Sequence, residues 1–121
     1  MNSGSVTARF LRTGMPVKLT WQDGRITSVQ PVAEAPETEH RWLAPSLVDL
    51  QVNGYAGVDF QQDTLTGEEL LTAVRALRRD GCSRILFTLI TDEWPTLLTR
   101  LRRARSLVTA NEELRAAIVG W

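Results

Sequence analysis

The pattern of apolar and polar positions changes along the chain. Residues 6–32 indicate β structure, because the runs 17–21 and 26–29 within them alternate apolar and polar side chains, the period of half-buried β-strands. The runs 17–21 and 26–29 flank Asp23-Gly24, a pair that favours a hairpin turn because both central residues must adopt positive φ. Residues 31–39, with two prolines and three glutamates, predict a polar connector.

From residue 44 the pattern becomes strand, helix, strand, helix and strand. Thr66 with Glu69 predicts a capping box at the start of the first helix, and Gly81 fits the left-handed position that ends it. The nearly continuous apolar run 85–90 predicts a strand buried on both faces.

A second helix is expected to follow this run, capped by Thr91 or Asp92, with Trp94 on its apolar side. The arginines between 100 and 105 are expected to form a solvated helix face. A short turn is expected near 112–114, and residues 116–121 predict a third strand. The alternation indicates an α/β fold with a parallel sheet and crossover helices.

In such folds, sites form at the carboxyl ends of the strands. The first strand of this region has two different faces, because successive side chains point to opposite sides. Its apolar face carries Val48, Leu50 and Val52, and its other face carries Asp49, Gln51 and Asn53. Asp49 is expected to accept hydrogen bonds from nearby backbone N–H groups, whereas Gln51 and Asn53 lie toward the predicted site.

Charge and composition exclude several classes of protein. Lys and Arg total 14 and Asp and Glu total 14, so no basic field predicts binding to nucleic acid or an anionic membrane. No apolar run approaches the length of a membrane span. The single cysteine, Cys82, suits a reducing compartment and is expected to be a small buried side chain, so the sequence predicts a cytoplasmic protein.

The strings DLQVNGYAGVDF and GCSRILFTLIT, with the Ala-Pro lead-in at 44–45, resemble the amidohydrolase superfamily. More narrowly, they resemble the N-acetylglucosamine-6-phosphate deacetylase family. The resemblance implies the start of a (β/α)8 TIM-type barrel, with about two βα units and a third strand in residues 44–121. It also implies that residues 1–43 supply the N-terminal part of a small β-sandwich. The barrel strands would be 46–53, 84–91 and 116–121.

The resemblance further implies a parent enzyme of amino-sugar catabolism that hydrolyses N-acetylglucosamine 6-phosphate to glucosamine 6-phosphate and acetate. A divalent metal, zinc by expectation, would activate water in the parent and polarise the amide carbonyl. Gln51 and Asn53 would contact the substrate or the metal-bound water. Gly54, Tyr55 and Gly57 would form either a substrate-side loop or an ordinary tight turn.

One departure from the superfamily concerns the metal. Most members carry His-x-His at the end of the first barrel strand, where this chain has Gln51 and Asn53. Neutral amides are poor zinc ligands beside imidazole or carboxylate, so no metal ligand is expected within this chain. His40, the only histidine, is expected to be a solvated connector residue.

The family's next motif, His-x-Glu-Gly-Pro, would follow Trp121. The chain is therefore expected to be the N-terminal portion of the enzyme, without catalytic residues, without bound cofactor and inactive by itself. Two alternatives stay open: another amidohydrolase acting on a different amide or cyclic amide, and a non-catalytic polypeptide that acts by association. Homo-oligomers or association through open sheet edges would suit the last.

Overall fold

The computed structural model describes residues 2–33 and 40–121. The chain divides into two compact units, Met1–Pro45 and Ser46–Trp121, whereas the sequence predicted the boundary after residue 43. Part of the predicted polar connector, residues 34–39, lies outside the described residues. His40 is exposed, as expected for a connector residue.

The first unit contains a four-stranded sheet in the order β3-β2-β1-β4. Its strands are β1 (Ser3–Phe10), β2 (Pro16–Gln22), β3 (Arg25–Pro31) and β4 (Trp42–Leu43). The β2–β3 hairpin turns at Asp23 and Gly24, whose φ angles of 50° and 76° confirm the predicted turn. β1 pairs antiparallel with β2 and parallel with β4.

The second unit alternates strands and helices. Its elements are β5 (Leu47–Val52), β6 (Gly54–Tyr55), β7 (Val58–Asp59), α1 (Gly67–Arg79), β8 (Cys82–Phe87), α2 (Trp94–Ala110), α3 (Glu112–Ala117) and β9 (Ile118–Gly120). β5, β8 and β9 form a parallel sheet in that order. This is the mixed α/β arrangement that the sequence rhythm predicted.

Helix α1 covers this sheet with a fully apolar stripe. Its buried residues are Leu70, Leu71, Ala73, Val74, Ala76 and Leu77. The predicted capping box is present, because the Thr66 N–H donates to Glu69 at 2.8 Å and the Glu69 N–H donates to Thr66 Oγ1 at 3.3 Å. Gly81 has φ of 92°, as expected for the residue that ends the helix. Cys82 is buried in the same core.

The start of α2 differs from the sequence prediction. The N-cap is Glu93, and neither Thr91 nor Asp92 caps the helix. The Asp92 carboxylate instead accepts the Glu93 N–H at 2.8 Å and an Arg100 N–H at 2.6 Å. Trp94, expected on the apolar side of the helix, is 70% exposed.

Strand limits near the end of the chain also shift. β8 begins and ends earlier than the predicted strand 84–91, although the Thr88 N–H continues the pairing by donating to the Val52 carbonyl at 2.9 Å. Where a short turn was expected, α3 forms, and Asn111 caps it by accepting the Leu114 N–H at 3.1 Å. The third strand therefore starts at Ile118. None of the helices in the described ranges has both the length and the apolarity needed to cross a bilayer.

Candidate functional site

The carboxyl ends of β5 and β8 lie side by side, because the two strands are parallel and Val52 pairs with Phe87. Gln51 is exposed, and Asn53, the residue after β5, is half-buried. Side-chain amides of this kind both donate and accept hydrogen bonds. This edge therefore presents two neutral, bifunctional polar groups at the place where sites form in parallel sheets.

Asp49 has a structural contact within the same strand. Its carboxylate oxygen Oδ1 accepts the backbone N–H of Gln51 at 3.0 Å. The register between β5 and β8 is irregular between Asp49 and Val52, so this side chain satisfies a backbone donor at the irregularity. The expectation that Asp49 accepts from nearby backbone groups is confirmed.

The residues after Asn53 form a tight hairpin. β6 and β7 pair through Gly54 with Asp59 and Tyr55 with Val58, leaving Ala56 and Gly57 as the two turn residues. Their φ angles are 52° and 80°, the left-handed conformation that a two-residue hairpin turn requires. A Cβ on Gly54 would lie 2.7 Å from the Val58 carbonyl oxygen. Both glycines thus meet a backbone requirement, and contact with a substrate stays a prediction for this loop.

Tyr55 is directed toward the end of helix α1. Its hydroxyl donates a hydrogen bond to the carboxylate of Asp80, the C-cap residue of α1. This hydrogen bond, with desolvation and the nearby negative charge, raises the pKa of Tyr55 above its usual value. Asp80 precedes the amino end of β8, so the hydroxyl is tied to the opposite end of that strand from Asn53.

The loop after β7 is joined to the loop after β8. The Phe60 N–H donates to the Asn53 carbonyl at 3.1 Å, and the Phe60 ring stacks on Phe87. The next side chain, Gln61, forms hydrogen bonds with both backbone groups of Ile90, at 2.8 and 2.9 Å. No local sequence pattern predicts this contact, because a helix and a strand separate the two residues along the chain.

Arg100 corrects the prediction of a wholly solvated arginine face on α2. Its side chain is only 15% exposed and contacts Asp63 at 2.7 Å and Asp92 at 2.6 Å. The backbone N–H of Glu93 and the Arg100 guanidinium both lower the pKa of Asp92. Arg103 similarly donates to the Leu65 carbonyl at 2.7 Å. These arginines therefore bind the loops at the carboxyl edge of the sheet to α2.

An apolar cleft of about 510 Å³ lies between the end of β8, α2 and the residue after β9. Its described lining residues are uncharged: Phe87, Thr88, Leu89, Ile90, Thr91, Trp94, Leu97, Leu98, Leu101 and Trp121. The Thr88 hydroxyl oxygen is buried in its wall without a hydrogen-bond partner among the described residues. Such a lining suits apolar groups and offers no charge for a phosphate.

A metal centre needs several closely grouped donor side chains, and the described ranges are 2–33 and 40–121. Within them, no three His, Cys, Asp or Glu side chains are grouped so that they could hold a metal ion. Gln51 and Asn53 add only neutral amide oxygens, which zinc binds poorly. The described residues therefore do not fit a metal centre by themselves.

The fold is shared with carbohydrate deacetylases of known structure. The N-acetylglucosamine-6-phosphate deacetylase of Pasteurella multocida matches 92% of this chain with a TM-score of 0.63 and 20% identity. The N-acetylglucosamine-6-phosphate deacetylase of Thermotoga maritima matches 89% with a TM-score of 0.67 and 19% identity. At these identities the likeness establishes the fold.

The chain spans about a third of the length of these deacetylases, covering 32% of the first and 29% of the second. No protein-family model matches the chain. The structural likeness agrees with the resemblance seen in the sequence strings around Gln51, Asn53 and 82–91. The chain's mixed α/β fold is therefore similar to part of the fold of these two deacetylases.

Proposed function

We propose that this chain is the N-terminal portion of an enzyme that deacetylates N-acetylglucosamine 6-phosphate, giving glucosamine 6-phosphate and acetate in amino-sugar catabolism. The observation that carries the proposal is the pair Gln51 and Asn53 at the carboxyl end of β5, in a fold shared with two such deacetylases. In this proposal β5, β8 and β9 are the first three strands of a (β/α)8 barrel. Met1–Pro45 belongs to a small β-sandwich.

The chemistry of the two amides suits this role. A carboxamide can accept a hydrogen bond from a sugar hydroxyl and donate one to an acetyl carbonyl. Asn53 is half-buried, so its orientation is restricted, whereas Gln51 is exposed and can adjust to a ligand. The proposal assigns to these residues the binding and orientation of the sugar, with Gly54, Tyr55 and Gly57 in the adjoining loop.

The parent enzyme is proposed to be cytoplasmic and to contain a divalent metal, zinc by preference, held by residues other than those described. Because the described residues do not fit a metal, the 121-residue chain is proposed to be inactive by itself. Elemental analysis of the purified chain and an acetate-release assay check this point. Stoichiometric metal or measurable deacetylation by the chain would contradict it.

The activity is tested on the longest natural form that contains these residues. Release of acetate from N-acetylglucosamine 6-phosphate is compared with hydrolysis of cyclic ureides and imides. Asn53→Ala is expected to lower kcat/KM by about tenfold or more, the effect of removing a hydrogen bond of about 1.5 kcal/mol. Ser46→Ala, at the residue before β5, is the control for a lost hydrogen bond away from the carboxyl edge, since the Ser46 hydroxyl pairs with the Ser83 hydroxyl at 2.6 Å. Preference for a cyclic amide would favour a different amidohydrolase. Unchanged hydrolysis of both substrate classes by Asn53→Ala would contradict the proposed site.

A second candidate function is association with another copy of the same chain. β5 and β9 are the outer strands of the described parallel sheet, and the exposed fractions of Leu47 and Leu50 on β5 are 65% and 68%. Unpaired edges with apolar side chains favour pairing with other strands. Sedimentation analysis is expected to reveal oligomers that Leu50→Lys disperses. A monomer at all concentrations would contradict the association.

A further inference from the structure

The side chain of Gln61 contacts the backbone of Ile90 in a way that resembles a strand pairing. The amide nitrogen Nε2 donates to the Ile90 carbonyl oxygen at 2.8 Å, and the Ile90 N–H donates to Oε1 at 2.9 Å. Ile90 lies beyond the end of β8. A single side chain therefore satisfies both backbone groups of a residue outside the sheet ladder.

The backbone of Gln61 and that of the residue before it are both fixed by hydrogen bonds. Its own N–H donates to the Asp59 carboxylate at 2.8 Å. The preceding residue, Phe60, is 1% exposed, and its N–H donates to the carbonyl of Asn53 at 3.1 Å. A continuous series of contacts thus connects Asn53, through Phe60 and Gln61, to Ile90.

The Arg100 ion pairs join the same two loops at different residues. Arg100 contacts Asp63 in the loop before α1 and Asp92 in the loop before α2. These contacts hold the loops near each other without bonding to the Ile90 backbone. Loss of the Gln61 amide is therefore expected to free Ile90 locally while the rest of the unit stays folded.

We infer that Gln61 is a positioning residue that fixes the loop after β8 against the end of β5. It thereby holds Asn53 and the segment 88–91 in one arrangement at the carboxyl edge. The effect on substrate rests on the proposed deacetylase function. The joining of the two loops stands independently of that function and is measured separately.

The first test uses amide hydrogen exchange by NMR in the 121-residue chain. Gln61→Met keeps the side-chain length and removes both hydrogen-bonding groups. The Ile90 amide is expected to exchange roughly fivefold faster or more, the factor that corresponds to loss of a typical hydrogen bond. The amide of Leu70 in α1 is expected to keep its rate, and Gln30→Met in the first unit serves as the matched control. An unchanged Ile90 rate, or an equal acceleration at Leu70, would overturn the inference.

A second variant separates hydrogen bonding from packing. Gln61→Glu, when ionised, can accept the Ile90 N–H but cannot donate to the Ile90 carbonyl. Protonation of the carboxyl, which occurs near pH 4 for an ordinary glutamate, restores the donor. In ionised Gln61→Glu a carboxylate oxygen replaces the donor that faces the Ile90 carbonyl oxygen in the wild type, so the two oxygens repel each other and weaken the whole contact. The protection factor of Ile90 is therefore expected to recover below that pH in Gln61→Glu and not in Gln61→Met. Equal pH dependence in the two variants would overturn the inference.

The consequence for substrate is read from titration of the labelled chain with N-acetylglucosamine 6-phosphate. The side-chain amide resonances of Asn53 are expected to shift when the ligand binds to the wild type. The same shift in Gln61→Met is expected to require a several-fold higher ligand concentration. Equal affinities, with Ile90 protection lost, would overturn the positioning role. No response in the wild type would count against the proposed contact of Asn53 with the sugar, while the exchange rates still decide whether Gln61 joins the loops.

Discussion

Phe60 and Phe87 stack with their ring centroids 4.9 Å apart and their planes inclined by 5°. Phe60 follows the β6–β7 hairpin, and Phe87 is the last residue of β8. Their residues are 1% and 2% exposed. The stack therefore fixes the loop beside Asn53 to the carboxyl end of the sheet by packing, in addition to the hydrogen bonds described above.

Removing one ring of this stack should be strongly destabilising. Phe60→Ala is expected to lower the free energy of unfolding by about 3–5 kcal/mol, because it leaves a cavity in a close-packed core. Phe60→Leu should cost less, and it remains measurable if the alanine variant does not fold. Urea denaturation followed by tryptophan fluorescence gives both values. A loss below about 1 kcal/mol in Phe60→Ala would contradict the packing role.

Tyr55 offers a direct test of the hairpin's contact with α1, since it is the chain's single tyrosine. In the wild type, the pH midpoint of the tyrosinate absorbance at 295 nm should lie above the ordinary value near pH 10, because Asp80 raises the pKa of Tyr55. In Asp80→Asn the midpoint should fall toward pH 10. Because the folded pKa is raised, the contact stabilises the fold below pH 10, and the stabilisation is lost as pH rises through the folded pKa. Identical midpoints would contradict the hydrogen bond.

The ion pairs between α1 and α3 predict an acid-dependent loss of stability. Glu113 accepts hydrogen bonds from Arg75 at 2.7 Å and from Arg78 at 3.1 Å, and Arg75 contributes most to lowering the pKa of Glu113. Because the folded pKa is lowered, the stabilisation is present above the unfolded value near 4.3 and is lost as pH falls through the folded pKa.

Glu113→Gln should therefore unfold at lower urea concentration than the wild type at pH 7, and the difference should disappear at about pH 3 or below. Glu112→Gln, at the neighbouring exposed position, is the control and should change little. A difference between wild type and Glu113→Gln that persists undiminished at low pH would indicate that packing, rather than charge, accounts for the effect.

Substitutions at the two residues of the β6–β7 turn are expected to change the stability of the fold in opposite directions. Gly57→Ala should cost about 1–2 kcal/mol, because a side chain disfavours the left-handed backbone, while the surrounding space is open. Ala56→Gly should be neutral or slightly stabilising, since the same strain is then relieved. Thermal unfolding of the two variants gives the comparison. Equal effects of the same sign would contradict the turn geometry.

Local signals in the sequence accounted for much of the fold. Asp23-Gly24, the Thr66–Glu69 capping box and Gly81 each depend on residues within one turn or one helix end, so pattern reasoning could identify them. The apolar run after Cys82 similarly identified β8 within a few residues. These features require no knowledge of distant partners.

The features that sequence reasoning missed depend on long-range contacts. Asp92 fits the sequence pattern of a helix cap, but its carboxylate pairs with Arg100. Arg100 also contacts Asp63, from which α1 and β8 separate it along the chain. Gln61 has no sequence feature that predicts a contact with Ile90. At the candidate site, the sequence located Gln51 and Asn53 at a strand end, whereas the positioning contacts around them came from the tertiary structure.

The burial of Cys82 has a practical consequence for kinetics. It is the chain's single cysteine, it is 8% exposed, and its thiol donates to the Arg84 carbonyl at 3.3 Å in the first residues of β8. Because the thiol lies in the core of the second unit, a thiol reagent can modify it at a substantial rate only when that core opens locally. The rate at which a thiol reagent labels Cys82 therefore reports how often the core around β8 opens, and no engineered cysteine is needed.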